Sequence, residues 1–354
     1  MSKLTKALTA AAGNAGAGAL YAEDVFSTYL YEGTGATQSI NNGIDLDGEG
    51  GMTWIKCRNT AFNNVIFDTE RGAPNALLTN TTDQNISFYS DSLTSFNLDG
   101  FSLGADTTSL LVNNGNNRDY CSWSFRKAEK FFDVVTYTGT GTPQTIAHNL
   151  GVAPAFIITK KTSSTSNWAT NDPSQANPWS GALLLNSTNA FTTASTVWND
   201  TAPTDSVFTV GTSDATNLSG QTYVAYLFAS DAGGFGDDGS ENIIKCGSYT
   251  GNGATGQEIN LGFEAQWVLV KSSTNANSWY IVDLMRGMSY GGFNTLSPNS
   301  SAAEVDLSGL NRITPTATGF SLNGDWSGNE NGWGYIYIAI RRPMKTPESG
   351  TEVF

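Results

Sequence analysis

The sequence predicts an all-β protein: three tandem antiparallel β-sandwich domains behind an N-terminal arm that is extended or contains a short helix. One group of motifs occurs three times, beginning at Tyr31, Tyr137 and Tyr249, which lie 106 and 112 residues apart. Short segments rich in β-branched and aromatic residues are separated by turn residues such as Gly and Asn. No long segment carries the apolar stripe of an amphipathic helix. Together these observations favour β-sandwiches over a helical fold.

The composition excludes several classes of function. Among 354 residues there are 18 Lys and Arg against 32 Asp and Glu, and the net charge of −14 disfavours nucleic acid and anionic membranes as partners. No apolar stretch approaches the ~18 residues of a membrane span, so we expect no membrane insertion. Three cysteines without a CxxC pair, and His148 as the single histidine, provide neither a disulfide framework nor a His-rich metal centre. We expect a soluble protein without a cofactor, in which His148 lies in a turn.

Each repeat begins with a Tyr-x-Gly-x-Gly motif, followed by Gln and Ile two residues apart. The three copies are Tyr31, Gly33, Gly35, Gln38 and Ile40; Tyr137, Gly139, Gly141, Gln144 and Ile146; and Tyr249, Gly251, Gly253, Gln257 and Ile259. An apolar run ending in a lysine comes next, at Lys56, Lys160 and Lys271. A strand rich in aromatic residues closes each repeat, and residues 335–340 are apolar on both strand faces, which is typical of a central strand. The shared order of these motifs predicts a triplicated domain.

The domain boundaries follow from the repeats. We expect an arm at 1–27, repeat 1 at 28–132, repeat 2 at 133–230, a Gly/Asp-rich linker at 231–242, repeat 3 at 243–345 and a tail at 346–354. The first junction is tight, and the linker is flexible in isolation. Repeated modules behind a small anchor predict an extended rod.

Three acidic residues form one candidate metal site. Asp45, Asp47 and Glu49 alternate along the chain, so an extended loop could point all three carboxylates in the same direction, as Ca²⁺ prefers. The alternative is an acidic hairpin turn.

Two positive pairs keep the same spacing in repeats 1 and 3. Lys56 and Arg71, like Lys271 and Arg286, lie fifteen residues apart, whereas repeat 2 lacks the arginine. Each pair could present positive charge to a bound carboxylate. The nearest candidate carboxylates are Asp68 and Glu70 before Arg71, and Asp283 before Arg286. We favour the alternative, an internal salt bridge that fixes a turn.

Tryptophans among Asn, Ser, Thr and Gly are candidates for glycan contact, because a sugar face stacks on an indole ring while amides bind its hydroxyls. The tryptophans in such surroundings are Trp168, Trp179, Trp198, Trp279, Trp326 and Trp333. In the distal repeat, Trp279, Trp326 and Trp333 are the candidates for binding a host glycan or receptor. The alternative is that these rings cap the ends of sandwich cores.

The motifs also resemble those of a known family. The series Tyr-x-Gly-x-Gly, Trp-Ile-Lys56, Phe-Asp-Thr-Glu-Arg71-Gly72, Gly-Phe-Ser-Leu-Gly104 and Trp-Ser-Phe-Arg126 is similar to a tandem-repeat domain in structural proteins of tailed marine and cyanobacterial bacteriophages. The resemblance covers residues 28–343 and is weakest in repeat 2. It implies a virion protein, assembled in the host cytoplasm and exposed outside the cell on the particle, and it supplies no catalytic residues.

Two hypotheses follow, and neither is an enzyme. The first is a tail fibre or adhesin, anchored to other virion proteins through Leu4, Leu8, Leu20 and Tyr21 of the arm, that contacts a host glycan or protein. The second is a capsid or tail decoration protein that stabilises the particle without host recognition. By analogy with fibre proteins we expect a homotrimer. A polysaccharide depolymerase is a third, less supported alternative, because no acid pair stands out among the 32 carboxylates.

Overall fold

In the computed structural model, which describes residues 18–106, 109–289, 292–307 and 309–344, the protein is almost entirely β. The described helices are short: α1 (Ala22–Val25), α2 (Ser195–Trp198), α3 (Asp214–Asn217) and a 3₁₀ turn at Leu284–Arg286. Within the described residues, no helix is long and apolar enough to cross a membrane. The predicted all-β class, with antiparallel sheets in a sandwich-like arrangement, is confirmed.

Repeat 1 contains eight strands in two antiparallel sheets. The strands are β1 (Phe26–Glu32), β2 (Gln38–Asn41), β3 (Gly51–Cys57), β4 (Val65–Asp68), β5 (Ala76–Leu78), β6 (Leu93–Asn97), β7 (Gly100–Leu103) and β8 (Asp119–Arg126). The larger sheet has the order β1-β8-β3-β4-β5, and the smaller sheet the order β2-β7-β6. The first and last strands therefore pair side by side, from Phe26 with Phe125 to Glu32 with Asp119.

Repeat 2 has a similar arrangement, with six strands in its large sheet and two in its small sheet. Its strands are β9 (Phe132–Thr138), β10 (Gln144–Ala147), β11 (Phe156–Lys161), β12 (Ala169–Thr170), β13 (Gly181–Leu184), β14 (Thr192–Thr193), β15 (Val207–Val210) and β16 (Thr222–Phe228). The large sheet is β14-β13-β12-β11-β16-β9, and β10 pairs with β15.

Repeat 3 adds a small hairpin. Its strands are β17 (Ile244–Thr250), β18 (Gln257–Asn260), β19 (Ala265–Ser272), β20 (Trp279–Asp283), β21 (Asn294–Thr295), β22 (Val305–Asp306), β23 (Ile313–Thr316), β24 (Gly319–Leu322) and β25 (Gly334–Arg341). The sheets are β17-β25-β19-β20, β18-β24-β23 and β21-β22. Each sheet draws its strands from one repeat.

The Tyr-x-Gly-x-Gly motif builds the same turn in every repeat. Its tyrosine ring stacks on a tyrosine of the last strand, with centroids 5.1 Å apart for Tyr31 and Tyr120. The equivalent pairs are Tyr137 with Tyr223 and Tyr249 with Tyr335. A Cβ on Gly33 would lie 2.2 Å from the Asn114 carbonyl oxygen, and Gly35 has φ +63°, so both positions require glycine. The motif is therefore a structural element.

A buried asparagine completes this turn. Asn113 Nδ2 donates to the carbonyl oxygens of Gly104 and Ala36, at 2.5 and 2.7 Å, and its Oδ1 accepts from Gln38 Nε2 at 2.5 Å. Asn217 has the equivalent contacts in repeat 2, including one from Gln144. The motif glutamine therefore holds this asparagine in repeats 1 and 2. In repeat 3, Gln257 instead donates to Thr250 O and accepts from Asn252 N.

The large sheets bury both of their faces. In β25, Tyr335 and Tyr337 pack with the small sheet of repeat 3, whereas Ile336 and Ile338 join an apolar cluster that includes residues of all three repeats. Strands apolar on both faces are thus explained by two cores, one local and one shared. The sequence interpretation of residues 335–340 as a central strand is confirmed, since β25 lies between β17 and β19.

Hydrogen bonds link the repeats in a closed cycle. Trp168 Nε1 of repeat 2 donates to Leu78 O of repeat 1 at 3.0 Å, and Trp279 Nε1 of repeat 3 donates to Leu184 O of repeat 2 at 2.9 Å. The corresponding residue of repeat 1, Asn64, donates through Nδ2 to Ser300 O of repeat 3 at 2.8 Å. Each repeat therefore contacts both others. The expected rod is wrong for this part of the chain, because the repeats surround a shared core instead of lying in a row.

The Gly/Asp-rich linker is packed into this assembly. Phe235 is buried in the shared core and meets the Phe131 ring edge-on, with centroids 6.4 Å apart. Gly236 N donates to Leu20 O at 2.8 Å. A linker that is flexible in isolation is thus held by contacts that the local sequence does not reveal.

Candidate functional site

The motif lysines lie where the repeats meet. Lys160 is fully buried, and its Nζ donates to Ser166 O at 2.6 Å and to Thr82 O of repeat 1 at 2.9 Å. In the same cyclic direction, Lys271 donates to Thr188 O of repeat 2 and Lys56 to Ser301 O of repeat 3. Burial lowers the pKa of each of the three lysines to about 8. These ammonium groups bind neighbouring backbone and are shielded from solvent.

The arginines of the positive pairs form internal salt bridges, as favoured from the sequence. Arg71 contacts Asp68 at 2.6 Å, and the hydroxyl of Tyr226 from repeat 2 donates to the same carboxylate at 2.7 Å. Burial opposes the charge on Arg71, but the Asp68 carboxylate outweighs it and raises the pKa of the guanidinium. The lysine and the arginine of each pair do not contact the same carboxylate.

The same arrangement occurs at the contact between repeat 3 and repeat 1. Arg286 contacts Asp283 at 2.6 Å, and Trp123 Nε1 donates to Asp283 Oδ2 at 3.0 Å. The guanidinium carbon lies 5.2 Å from the centroid of the Trp123 ring. Both side chains of the pair are fully buried, so these charges join repeats and are not accessible to a ligand from solvent.

The acidic candidates for a metal site are separated by other contacts. Asp45 Oδ1 accepts from Gly48 N at 2.7 Å, which closes a turn. Glu49 lies 3.2 Å from Arg126 Nη2, and Asp47 is exposed. Across the described ranges, no group of three His, Cys, Asp or Glu residues is placed to hold a metal ion. The geometry corresponds to the alternative interpretation, an acidic turn.

Most of the candidate tryptophans are core residues. Trp168, Trp198 and Trp279 are at most 1% exposed, and Trp179 is 6% exposed, so these four rings are not accessible to a glycan from solvent. Trp279 joins the shared core, and its indole N–H is used at the contact between repeats. Polar neighbours in sequence misled the prediction because these rings occupy the inward position of their strands or loops.

The other predicted residues lie as follows. His148 follows β10 and is buried; its Nδ1 accepts from Leu150 N at 3.2 Å, and burial lowers its pKa. Leu20 packs against the shared core, and the Tyr21 hydroxyl donates to Asp237 of the linker. The predicted anchor residues Leu4 and Leu8 lie outside the described residues.

Trp326 and Trp333 are half-buried in repeat 3, and Trp326 lines a cavity of about 380 Å³. The aromatic side of the cavity is formed by Tyr280, Phe293 and Trp326. The Trp326 ring meets Phe293 edge-on at 5.0 Å and Tyr280 at 5.8 Å between centroids. Gly328 is required beneath this ring, because a Cβ there would lie 2.2 Å from the indole.

Other residues that line the cavity are polar and charged. Arg312, Asp325 and Glu330 line it, and Arg312 Nη1 donates to Asp325 O at 3.2 Å. Slight desolvation, followed by the charge of Asp325 and a hydrogen bond with its carboxyl group, raises the pKa of Glu330. Leu310, which is 44% exposed, forms part of the rim.

A second cavity, of about 350 Å³, adjoins the first. The two share Leu310 and Arg312, and the second is otherwise lined by hydroxyl, amide and backbone groups of residues such as Thr255, Thr314 and Asn323. We call the two cavities together the repeat 3 groove. Sequence reasoning found only Trp326 of this groove, because the fold brings its other residues together from several segments between Thr255 and Glu330.

Most of the described chain matches the model of one protein family. A family described as a domain of unknown function, DUF7483, matches residues 22–343, so this chain belongs to that family. No curated protein is significantly similar to the chain.

Proposed function

We propose that this member of the DUF7483 family is a non-enzymatic structural protein of a bacteriophage particle, which contacts the host surface as a tail fibre or adhesin. In this proposal the arm, residues 1–27, attaches it to other virion proteins, and repeat 3 faces the host. The motif resemblance to phage structural proteins supports a place on the phage particle. The repeat 3 groove supports contact with the host.

The main support for host contact is a structural difference between repeat 3 and the other two repeats. Trp326 lies three residues before the buried Asn329, and the corresponding residues are Leu110 and Asp214. Leu110 is buried in the local core of repeat 1. Repeats 1 and 2 thus have no tryptophan at this position, whereas repeat 3 places an aromatic ring beside a cavity. Divergence of one repeat on a common scaffold is typical of a binding function added to a structural module.

Competition for adsorption tests the adhesin. Host cells are incubated with the isolated protein before phage is added, and free phage is counted over time. The proposal expects adsorption to fall as protein concentration rises, while heat-unfolded protein has no effect. Undiminished adsorption at saturating protein would contradict host contact.

A decoration protein is the second candidate, favoured by the closed arrangement of the repeats. Met344 N donates to Glu23 Oε2 at 3.0 Å, so both ends of the described chain lie together and allow attachment at one place. Particles assembled without the protein would then lose stability to heat or chelator but adsorb normally. Normal stability of such particles would contradict this candidate.

A further inference from the structure

We propose that the repeat 3 groove binds a neutral oligosaccharide, with Trp326 as the stacking surface and Arg312, Asp325 and Glu330 as hydroxyl-binding groups. This inference rests on the proposed function, since it names the ligand class through which the particle would contact its host.

The aromatic side supplies the apolar part of sugar recognition. Trp326 is held edge-on by Phe293 and Tyr280 at 5.0 and 5.8 Å, so its orientation is fixed before a ligand arrives. Its Nε1 is shielded from solvent and has no hydrogen-bond partner among the described residues, so the carbon part of the ring is what Trp326 offers to a ligand. A ring presented in a fixed orientation beside polar groups suits the C–H face of a pyranose, which is apolar while its edge carries hydroxyls.

The polar side supplies both donors and acceptors. Arg312 lies against Gly324, where a Cβ would be 2.9 Å from Nη1, and Nη1 donates to Asp325 O. A guanidinium carries five N–H donors, so one such hydrogen bond does not use up its capacity to bind a ligand. The carboxyl groups of Asp325 and Glu330 line the same cavity and can accept hydrogen bonds from sugar hydroxyl groups. Sugar hydroxyls both donate and accept, which matches this mixed set.

Charge selects against acidic sugars. In the groove, two carboxyl groups face one guanidinium, and the whole chain carries a net charge of −14. A uronate or sialate would be repelled both locally and at a distance.

The size of the groove favours more than one sugar unit. The cavities of about 380 and 350 Å³ each lie within the usual range for a small-molecule site and are joined at Leu310 and Arg312. A ligand that lies along both would contact Trp326 at one end and Thr314 or Asn323 at the other.

The test uses the full chain and a panel of soluble neutral oligosaccharides of glucose, galactose, mannose and N-acetylglucosamine, from mono- to hexasaccharides. Binding is followed through indole N–H resonances and by calorimetry, with oligogalacturonate as the acidic probe. We expect at least one neutral series to bind more tightly with length and to shift the Trp326 resonance. Trp326→Ala should weaken this binding about tenfold or more, which is ~1.4 kcal/mol or more.

Trp333→Ala is the matched control, because Trp333 is a half-buried tryptophan of the same repeat that does not line the groove. It should leave affinity unchanged. Arg312→Ala is the second groove variant and keeps the aromatic side intact if Trp326→Ala fails to fold. Absence of binding by every neutral series, preference for oligogalacturonate, or unchanged affinity in a folded groove variant would overturn the proposal.

Adsorption assays separate this inference from the proposed function. If the protein competes with phage and folded Trp326→Ala or Arg312→Ala competes equally, the adhesin stands and the groove assignment fails. If an oligosaccharide binds the groove but the protein does not compete, the sugar site stands and host adhesion fails.

Discussion

Arg71 and Gln175 occupy the same position in their repeats, fifteen residues after the motif lysine, and the difference between them has a structural reason. Arg71 shares Asp68 with the Tyr226 hydroxyl of the next repeat. In repeat 2, Gln175 Nε2 donates to Asp172 Oδ2 at 2.8 Å. The residue of repeat 3 that corresponds to Tyr226 is Ile338, which has no side-chain donor. The aspartate is common to all three repeats. In repeats 1 and 3 an arginine and an aromatic side chain of another repeat donate to it, whereas in repeat 2 Gln175 does.

Arg71→Ala should lower the free energy of unfolding by about 3–5 kcal/mol, because it leaves the buried Asp68 carboxylate without its cation. Urea unfolding measures this change. Arg342→Ala is the control, since Arg342 pairs with Glu264 at the surface and should cost less than about 1 kcal/mol. Equal effects of the two substitutions would contradict a buried salt bridge.

The buried lysines predict a pH dependence. Burial lowers the pKa of Lys160 to about 8, below its value of about 10.4 in an unfolded chain. Between these values the unfolded chain binds more protons, so this group makes the protein more stable as pH rises from 8 to 10. Below pH 8 the buried lysine is charged, and the full free-energy cost of burying its charge remains.

Lys160→Met removes this contribution to the pH dependence of stability. The free energy of unfolding of the wild type, minus that of Lys160→Met, should therefore increase by on the order of 1–3 kcal/mol between pH 7 and pH 10. Taking the difference cancels the contribution of the tyrosines and cysteines to the pH dependence. Burial raises the pKa values of these groups, so they make the fold less stable at high pH. A difference that is flat or falls with pH would show that Lys160 is not held charged in a buried site.

At the scale of elements, the repeated turn could be predicted in part. The sequence identified the Tyr-x-Gly-x-Gly motif and its glutamine, and it predicted β-strands on either side. It did not identify Asn113, Asn217 and Asn329, although each is held by the motif of its own repeat. Asparagine is common in this chain, and its role depends on carbonyl groups that only the folded turn brings together.

Gly33→Ala tests the turn. The added methyl group would meet the Asn114 carbonyl oxygen at 2.2 Å, so we expect destabilisation of about 2 kcal/mol or more and a lower melting temperature. Gly18→Ala is the control, because nothing lies within 4 Å of its Cβ position. A neutral Gly33→Ala would mean that the turn can open without cost.

The aromatic groove was less predictable than the turn. Trp326 has Asn, Gly, Ser and Asp as neighbours in sequence, and so has no pattern that separates it from buried Trp168. Burial depends on which face of a strand or loop meets the shared core. A single repeat does not contain this information, because the other two repeats supply the apolar surface.

At the scale of the molecule, the closed cycle of repeats bears on both stability and assembly. The shared core contains residues such as Phe125, Phe228 and Trp267 from different repeats, with Phe125 ring centroids 5.8 Å from each of the other two. An isolated repeat would expose its part of this surface to water. The three repeats already share one core within a single chain, so covering this core does not require a homotrimer.

We therefore expect the protein to unfold as one cooperative unit. Urea transitions followed by tryptophan fluorescence and by far-ultraviolet circular dichroism should coincide. Three separate transitions would contradict a shared core.

The mass in solution tests the assembly. Light scattering should give the 37.6 kDa of one chain. A stable species of three times that mass would support the homotrimer expected by analogy and contradict self-sufficiency of the single chain.

The cyclic contacts also suggest how such a protein could arise. An ancestral repeat on its own would have had one apolar sheet face uncovered, and three separate copies could have covered it for one another. In a single chain the three copies need not be identical, because each interface is formed by its own pair of repeats. Gln175 could then replace an arginine in one copy, and Trp326 could appear in another, while the remaining interfaces maintained the fold.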